Sequence, residues 1–233
     1  MSLTESPLKF ACFVTGTDTE IGKTLVAAAL IHGLVKQGLS VAAMKPVAAG
    51  TMLRQGRVSN EDVDTLLAQA NVPLPDDLVT PYLWHEPIAP HIAAAKAGQV
   101  MAVEVVLDAY RQVSMAAQAV VVEGAGGFCV PLSDTQDMAD MARALGLPVV
   151  MVVGLRLGCI SHALLTAEAV RARGLSLCGW VANTVDPDMP YQAENIQTLQ
   201  ARLGAPLLGV IPRLPNADPA LAATYLDFSL LPK

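Results

Sequence analysis

The sequence predicts an α/β fold in which helices cover both faces of a doubly wound, mostly parallel sheet. Three observations support this prediction. Short apolar runs alternate along the chain with longer segments of helical periodicity. Several of these runs, such as PVVMVV at residues 148–153, are apolar at every position, as is typical of parallel strands buried on both faces. No internal repeat, low-complexity linker or shift in composition divides the chain, so we expect residues 1–233 to form a single domain.

The predicted elements can be placed in order along the chain. Apolar runs predict strands at residues 11–15, 40–44, 119–123, 148–153, 177–183 and 207–211. Helical periodicity predicts helices at residues 23–36, 59–70, 101–116, 138–145, 162–173 and 191–203. A glycine stands just past four of these helices, where a left-handed residue commonly ends a helix. These glycines are Gly38, Gly146, Gly174 and Gly204.

The composition argues against several classes of protein. Hydrophobic residues make up 53% of the chain and charged residues only 15%, which is too apolar for a disordered protein. No apolar run approaches the roughly 20 residues that span a bilayer, and the N-terminus does not resemble a secretory signal, so we expect a cytoplasmic protein without a membrane partner. A net charge of −6 without a basic run disfavours nucleic acid as a partner.

The cysteines lack the spacing of a metal site or disulfide framework, and we expect buried free thiols. They are Cys12, Cys129, Cys159 and Cys178.

Residues 10–24, FACFVTGTDTEIGKT, carry the clearest chemical signal. A short apolar strand leads into a polar loop that closes on Gly22-Lys23-Thr24 and opens a helical segment, which is the context of a phosphate-binding loop. In such a loop backbone N–H groups converge on phosphate oxygens beside the positive end of a helix. Lys23 is expected to reach the outer phosphates of a nucleoside triphosphate, and the Thr24 hydroxyl to bind Mg²⁺. Gly16 and Gly22 enclose five residues, one more than the standard motif.

Ligands of a doubly wound sheet bind at the carboxyl ends of its strands, so residues that end the other strands are further candidates. Lys45 follows the second predicted strand. It is either a solvated terminal charge or, together with Lys23, part of a pair of cations suited to a phosphoryl group in transfer. Glu123 ends the third predicted strand, just before the glycine-rich segment GAGG. It is either a strand-terminal carboxylate or a second Mg²⁺ ligand.

Four further polar residues are candidates whose roles the sequence pattern leaves open. Asp62 is a candidate Mg²⁺ ligand, but it also lies three residues after Ser59, the expected N-cap of the helical segment 59–70, and so resembles part of a capping box. Asp64 competes with Asp62 for a metal role. His91 could line a site, although local hydrogen bonding explains a lone histidine as well. Asn183 ends a predicted strand, where its amide could offer both a donor and an acceptor to a base.

A series of segments resembles the dethiobiotin synthetase family. The segments are GTDTEIGKT, KPVAAG, APHIAA, VEGAGG, PLSD, VGLRLGCISHA, GWVAN and GVIPRL, in the family's order from about Phe10 to about Leu214. The family's phosphate loop carries the same extra residue. The resemblance implies a P-loop NTPase type of fold, a homodimer, and ATP and Mg²⁺ as cofactors. It implies a reaction in which CO2 and 7,8-diaminopelargonic acid give dethiobiotin, ADP and phosphate through a carbamate and a carbamic-phosphoric anhydride.

The resemblance also implies roles for individual residues. Mg²⁺ ligands fall on Thr24, Asp62 and Glu123, and the catalytic lysines are Lys23 and Lys45. Contacts with ATP fall on Glu20, Ile21, Gly22, Lys23, Thr24, Asp62, Glu123, Gly124, Ala125, Gly126, Asn183, Thr184, Pro212, Arg213 and Leu214. Contacts with the diamine fall on Thr19, Lys45 and Ala49, and its carboxylate end is expected to reach across the dimer interface. This chain has Ala49 where the family commonly has serine, which puts the affinity for the diamine in question.

Two other classes of protein share a related phosphate loop. Partition and septum-site ATPases carry a lysine early in the loop (KGGxGKT), whereas this chain has Thr17 and Asp18 after its first glycine. Amidoligases that act on corrin rings normally have a glutamine-hydrolysing domain, for which 233 residues leave no room. Both alternatives are therefore disfavoured.

Overall fold

The structure, a computed structural model, describes residues 8–54 and 56–232. Residues 1–7, 55 and 233, which the predicted domain includes, lie outside this description. The described strands are β1 (Phe10–Gly16), β2 (Val41–Met44), β3 (Val47–Ala49), β4 (Met52–Arg54), β5 (Arg57–Ser59), β6 (Tyr82–Trp84), β7 (Ala119–Gly127), β8 (Val149–Leu155), β9 (Leu177–Thr184) and β10 (Leu207–Ile211). The described helices are α1 (Lys23–Lys36), α2 (Glu61–Leu67), α3 (Asp76–Val79), α4 (Pro90–Lys96), α5 (Val103–Ala116), α6 (Met138–Leu145), α7 (Cys159–Ala172), α8 (Gln192–Leu203) and α9 (Pro219–Ala223), followed by a 3-10 turn at Phe228–Leu230.

The central sheet has six strands in the order β10-β9-β8-β1-β7-β2, and every pair in it is parallel. The predicted α/β class and parallel sheet are therefore confirmed, and each of the six predicted strands lies in this sheet. The chain builds β2 and β7 on one side of β1 and β8 to β10 on the other. The strand order thus reverses at β1, which places the loop after β1 at the switch point where such sheets bind ligands.

Both faces of the sheet are covered, as the apolar strands predict. All residues of β8 are buried, and its successive side chains enter two separate cores. Met151 belongs to the core formed with α5, α6, α7 and α8, whereas Val152 belongs to the core formed with α1 and α9. A strand with apolar neighbours on both sides must be apolar at every position, which explains the PVVMVV run.

Several predicted boundaries are wrong by a few residues. The segment predicted as a helix at 59–70 forms α2 only from Glu61, because Asn60 is its N-cap and its side-chain oxygen accepts a hydrogen bond from the Val63 N–H at 3.2 Å. Ser59 instead ends β5, so its predicted capping role is wrong. Helix α7 begins at Cys159, three residues before the predicted start. The four glycines predicted to end helices all have positive φ, as expected.

The chain after β10 packs back onto the sheet. The Asp227 N–H donates to the Leu208 carbonyl at 2.7 Å, and Gly209 forms an antiparallel bridge with Leu226, so this tail covers the edge strand. Phe228 packs against α1 at Gly33, where a Cβ atom would stand 1.9 Å from the ring. Within the two described ranges, no helix is both long and apolar enough to cross a membrane.

The cysteines differ in exposure. All four are free thiols, as predicted, and Cys12 and Cys159 are buried. Cys178 is half-buried, and Cys129 is exposed in the turn after β7. The prediction that the thiols are buried is therefore wrong for Cys129, because its apolar neighbours belong to a turn rather than to a strand.

Candidate active site

The loop between β1 and α1 is anchored to neighbouring strands. The Thr17 N–H donates to the Val152 carbonyl of β8 at 3.0 Å, and the Asn183 side-chain amide donates to the Ile21 carbonyl at 2.8 Å. Gly22 has a φ of 86° and is the N-cap of α1. A Cβ atom at this position would lie 2.3 Å from the Asn183 amide nitrogen, so only glycine combines this backbone conformation with this close approach. The first N–H groups of α1 are thereby presented at the carboxyl edge of the sheet.

Lys23 opens α1 and is only 7% exposed. Its Nζ donates to the main-chain carbonyl of Asp18 at 2.9 Å, across the loop. Burial and, to a smaller extent, the positive charge of Lys45 lower the pKa of Lys23 to about 8, against the opposing effect of Glu123, Asp62 and Asp18. The ammonium group is thus held inside the loop with little contact with water. A bound phosphate would supply the interactions that water no longer provides.

A hydrogen-bonded cluster lies beside the loop. Lys45 Nζ is 2.6 Å from Glu123 Oε1 and 2.7 Å from Asp62 Oδ2. The Thr24 hydroxyl is 2.9 Å from both Asp62 Oδ1 and Glu123 Oε1. The four side chains come from the start of α1, the exit of β2, the first turn of α2 and the strand β7. Four residues that span 99 positions of the chain therefore meet at one point.

Burial and charge act against each other in this cluster. Glu123 is fully buried, and burial raises its pKa even though Lys45 opposes the shift. Burial would also lower the pKa of Lys45, but the two carboxylates outweigh this effect and raise it. For Asp62, burial tends to raise the pKa, but Lys45, Thr24 and Lys23 together lower it. Lys45 therefore remains charged at neutral pH.

The cluster forms part of a cleft of about 670 Å³. Eleven of the predicted ATP, metal and diamine residues line this cleft, two of them from the glycine-rich segment. They are Thr19, Glu20, Gly22, Lys23, Thr24, Lys45, Ala49, Asp62 and Glu123, with Ala125 and Gly126. One wall is apolar and was not predicted as part of the site. It consists of Pro87, Ile88, Ala89 and Pro90, which lead into α4, with Val47, Ala48 and Val130. The proline-bounded turn before APHIAA was the available signal for this wall.

Other predicted contacts lie outside the cleft. Ile21 is buried beneath the loop, and Gly124 lies within β7. Asn183 and Thr184 are buried at the end of β9, where the Asn183 amide supports the loop. The segment after β10 begins with Pro212 and Arg213, which are exposed, and continues with the half-buried Leu214.

The open alternatives for the acidic residues and the histidine can now be compared with the structure. Asp64, the competitor of Asp62, does not line the cleft; its carboxylate accepts a hydrogen bond from the Ser59 hydroxyl. Asp62 has both of its oxygens directed at the cluster. The His91 Nδ1 is buried without a hydrogen-bond partner in the described residues, and His91 does not line the cleft.

The donor set suits Mg²⁺. Two carboxylates and a hydroxyl converge, and such hard oxygen atoms are the ligands that Mg²⁺ prefers, with waters and phosphate oxygens completing its shell. The second oxygen of Glu123, Oε2, is buried and has no hydrogen-bond partner among the described residues. An unsatisfied buried carboxylate oxygen is costly, so a cation at this position would satisfy it.

The parallel sheet, the loop that joins β1 to α1 and the buried lysine within it define a P-loop nucleotide-binding α/β protein. Residues 11–220 match the model of a family described as an AAA domain. The chain is 59% identical over 227 residues to the ATP-dependent dethiobiotin synthetase BioD of Janthinobacterium sp. (strain Marseille), with 96% of each chain covered. It belongs to the dethiobiotin synthetase family, as the resemblance of its motifs predicted.

Solved structures with a similar fold include two septum-site proteins. The septum site-determining protein MinD of Pyrococcus horikoshii OT3, complexed with Mg-ADP, is 18% identical and has a TM-score of 0.56, with 89% of this chain and 82% of that chain covered. The MinC:MinD cell division complex of Aquifex aeolicus is 14% identical and has a TM-score of 0.53, with 88% and 82% covered. At these identities the similarity concerns the fold alone.

Proposed function

We propose that a single ATP-binding domain spanning residues 1–233 catalyses the closure of a ureido ring on 7,8-diaminopelargonic acid. ATP, CO2 and the diamine are consumed, and dethiobiotin, ADP and phosphate are released. The observation that carries this proposal is the cluster of Lys45, Glu123, Asp62 and Thr24 beside the phosphate loop. It combines a cation for the transferred group with oxygen ligands for a metal, on one wall of a cleft of about 670 Å³.

The reaction proceeds in three steps. One amine of the substrate adds to CO2 and loses a proton to give a carbamate. A carbamate oxygen then takes the γ-phosphoryl group from ATP, so that ADP leaves and a carbamic-phosphoric anhydride forms. The neighbouring amine attacks the carbamate carbon and closes the ring, while the C–O bond to phosphate breaks and the amine proton is released. The protein supplies position and charge and forms no covalent bond to the substrate.

Each cluster residue has a separate task in these steps. Lys23, held in the loop, is suited to the β- and γ-phosphates, and Lys45, at the exit of β2, to the oxygens of the transferring phosphoryl group. Both are almost fully buried, so their charges act in a medium of low dielectric constant and at short range. Thr24, Asp62 and Glu123 would hold Mg²⁺. When bound, the ion neutralises charge on the phosphate oxygens.

The remaining predicted contacts are assigned by position. Glu20 and Gly22 belong to the loop, and Ala125 and Gly126 approach it from β7, so that these residues would surround the phosphates. Ile21 and Gly124 would contribute main-chain contacts. We propose that the base lies over the ends of β9 and β10, near Asn183, Thr184, Pro212, Arg213 and Leu214.

The diamine is expected to lie between the phosphate loop and the apolar wall. Thr19, Lys45 and Ala49 line this part of the cleft. The apolar side chains of residues 87–90 suit the hydrocarbon chain of the substrate. Ala49 supplies no hydroxyl group to the diamine, so we expect the variant A49S to lower the KM for the diamine without a comparable change in the KM for ATP.

We also propose that the chain works as a homodimer in the cytoplasm. Three large apolar side chains are exposed in or just before α7 and α8, namely Leu157 (95%), Leu165 (62%) and Tyr191 (75%). Cys159 Sγ lies 3.9 Å from Asn195 Oδ1, which brings the beginnings of the two helices together. Exposed large apolar side chains of this kind suit a self-complementary interface. The four free thiols and the use of ATP agree with a reducing compartment. Sedimentation of wild-type protein and of L165K tests the dimer.

Diamine dependence distinguishes this function from its competitors. Phosphate release is measured with ATP, Mg²⁺ and bicarbonate, with and without the diamine, and dethiobiotin is identified by mass. We expect release only in the presence of all substrates, in a one-to-one ratio with product. The same preparation of the variant K45Q controls for contaminating ATPases. Diamine-independent release at the full rate would instead support a nucleotide-driven switch.

A further inference from the structure

Arg156 lies outside the roles assigned above, yet its side chain is bound to the phosphate loop. It follows β8 directly, and its guanidinium forms an ion pair with the carboxylate of Asp18. This contact joins two residues 138 positions apart. We propose that Arg156 is a positioning residue for the phosphate loop and acts through Asp18 on the ammonium group of Lys23. The inference rests on the proposed binding of ATP at this loop.

Asp18 is the link between the two side chains. Its Oδ1 accepts a hydrogen bond from the Thr19 N–H at 2.8 Å, and its main-chain carbonyl accepts one from Lys23 Nζ at 2.9 Å. Its second carboxylate oxygen pairs with Arg156. Arg156 therefore fixes the residue that both shapes the turn and receives the lysine. Without this contact the Asp18 carbonyl loses one of the constraints that direct it at Lys23.

Charge gives Arg156 a second effect on the same loop. The Asp18 carboxylate stands in a loop that has to accept a polyanionic triphosphate, and like charges at short range repel each other. The guanidinium neutralises this carboxylate. Removal of Arg156 should therefore weaken nucleotide binding both by loosening the loop and by leaving an unpaired negative charge in it.

The exposure of the pair separates this role from a contribution to folding. The side chains of Arg156 and Asp18 are 44% and 39% exposed, and ion pairs of this exposure contribute little to stability. The second anchor of the loop, from Asn183 to the Ile21 carbonyl, is buried and does not involve Arg156, so it should persist when Arg156 is replaced. Loss of the exposed pair should consequently affect nucleotide binding while the fold persists.

The test compares the variants R156M, R156K, D18N and the double variant R156M/D18N with wild-type enzyme. R111M is the matched control, since it removes another exposed ion pair, between Arg111 and Asp108 on α5, whose residues do not line the cleft. The KM for ATP and kcat are measured with saturating diamine, the Kd for Mg-ATP by calorimetry, and the thermal midpoint without nucleotide.

We expect R156M to raise both the KM and the Kd for ATP about three- to tenfold with little change in kcat, and R156K to restore most of the loss. The decisive result concerns the double variant. Because Arg156 acts through Asp18, R156M should cost nothing further in the D18N background. The difference between R156M and wild type should also shrink at high ionic strength, which screens exposed charges. The thermal midpoint should move no more than in R111M.

Three results would overturn the inference. An unchanged ATP affinity in R156M would show that the pair does not position the loop. An equal loss from R156M in the wild-type and D18N backgrounds would mean that Arg156 acts directly on the nucleotide. A loss confined to the thermal midpoint would make the pair purely structural. Failure of the wild-type protein to bind Mg-ATP would refute the proposed function itself. If the wild-type protein binds Mg-ATP and R156M binds it with the same affinity, only this inference is refuted.

Discussion

Lys45 Nζ lies 2.6 Å from Glu123 Oε1, and the same ammonium group reaches Asp62 Oδ2 at 2.7 Å. The carboxylates proposed to hold Mg²⁺ are therefore also the groups that keep a buried lysine charged and in place. This relationship ties the metal ligands to the lysine that is proposed to act on the phosphoryl group. A change in one member of the cluster should consequently affect the others.

Replacement of Lys45 should reduce turnover far more than ATP affinity. K45Q removes the charge but keeps most of the side chain's volume, and a charged donor that acts on the transition state is worth on the order of 100-fold in kcat. ATP is still held by the loop, so its Kd should change much less. The measurement is steady-state kinetics alongside calorimetry. K36Q, at the exposed end of α1, is the matched control. Equal losses in kcat and in affinity would contradict the assigned role.

The requirement for glycine at position 22 can be tested against another glycine with nearly the same φ. Gly22 and Gly38 have φ values of 86° and 84°, but a Cβ on Gly38 meets nothing within 4 Å, whereas one on Gly22 lies 2.3 Å from the Asn183 amide. G38A should therefore cost only about 1–2 kcal/mol of unfolding free energy, from backbone strain. G22A should in addition displace the loop and abolish measurable ATP binding. Denaturant unfolding and calorimetry give the two quantities. Normal ATP affinity in G22A would contradict this account of the loop.

Removal of the metal should stop catalysis without unfolding the protein. EDTA is expected to abolish turnover, and added Mg²⁺ to restore it, because the oxygens of Asp62 and Glu123 are proposed to carry the ion. Without nucleotide, the thermal midpoint should not respond to EDTA, since Lys45 pairs with both carboxylates and holds them in place without the ion. With ATP present, Mg²⁺ should raise the midpoint by mass action. A large loss of stability in EDTA alone would instead indicate a structural metal.

Stability should depend on pH through the contact between α6 and the residue that follows α7. Arg173 pairs with Asp137 at 2.9 Å and with Asp140 at 2.6 Å, the two residues of the capping box that begins α6. Burial tends to raise the pKa of Asp137, but the hydrogen bonds and charge of Arg173 and the contacts with Asp140 lower it below its ordinary value of 3.8. A carboxyl group with a lowered pKa stabilises the fold above its unfolded-state pKa, and this contribution is lost as the pH falls.

The variant R173M measures this contribution. At pH 7 it should lower the unfolding free energy by about 1 kcal/mol, as is typical of a partly exposed pair. The difference in unfolding free energy between R173M and wild type should become smaller as the pH falls below 3.8, the ordinary pKa of an aspartate such as Asp137. Denaturant unfolding at several pH values tests this, with R143M, at an exposed position of α6, as the control. A difference that is constant with pH would contradict the ionic origin.

Sequence reasoning located the sheet well because its strands are buried on both faces. An apolar run such as that of β8 is compatible with few structures other than a buried strand. The pattern of a strand followed by a loop that closes on glycine is likewise compatible with few structures other than a phosphate-binding loop. The start of α2 was predicted less well, since Ser59 and Asn60 are both good N-caps and only the tertiary structure chooses between them. Asn60 is favoured because its side-chain nitrogen also donates to the Gly50 carbonyl at 2.8 Å.

The parts of the site that sequence reasoning missed depend on contacts between distant segments. The short strands β3 and β6 have three residues each and pair only with one another among the described strands, so neither has a periodicity of its own. The apolar wall at residues 87–90 and the pairing of Arg156 with Asp18 likewise have no local signature. Spacing alone could not separate Asp62 from Asp64; the family resemblance assigned the metal role to Asp62, and the fold places this residue beside Thr24.

The transfer of one oxygen atom tests the central claim most directly. If a carbamate oxygen takes the γ-phosphoryl group and the later ring closure breaks the C–O bond, that oxygen leaves with phosphate. The reaction is run with ¹⁸O-labelled bicarbonate and ATP of natural composition for a time short relative to exchange of the label with water, and the phosphate is analysed by mass. We predict that each phosphate formed together with dethiobiotin carries one labelled oxygen. Unlabelled phosphate in the presence of still-labelled bicarbonate would contradict the account.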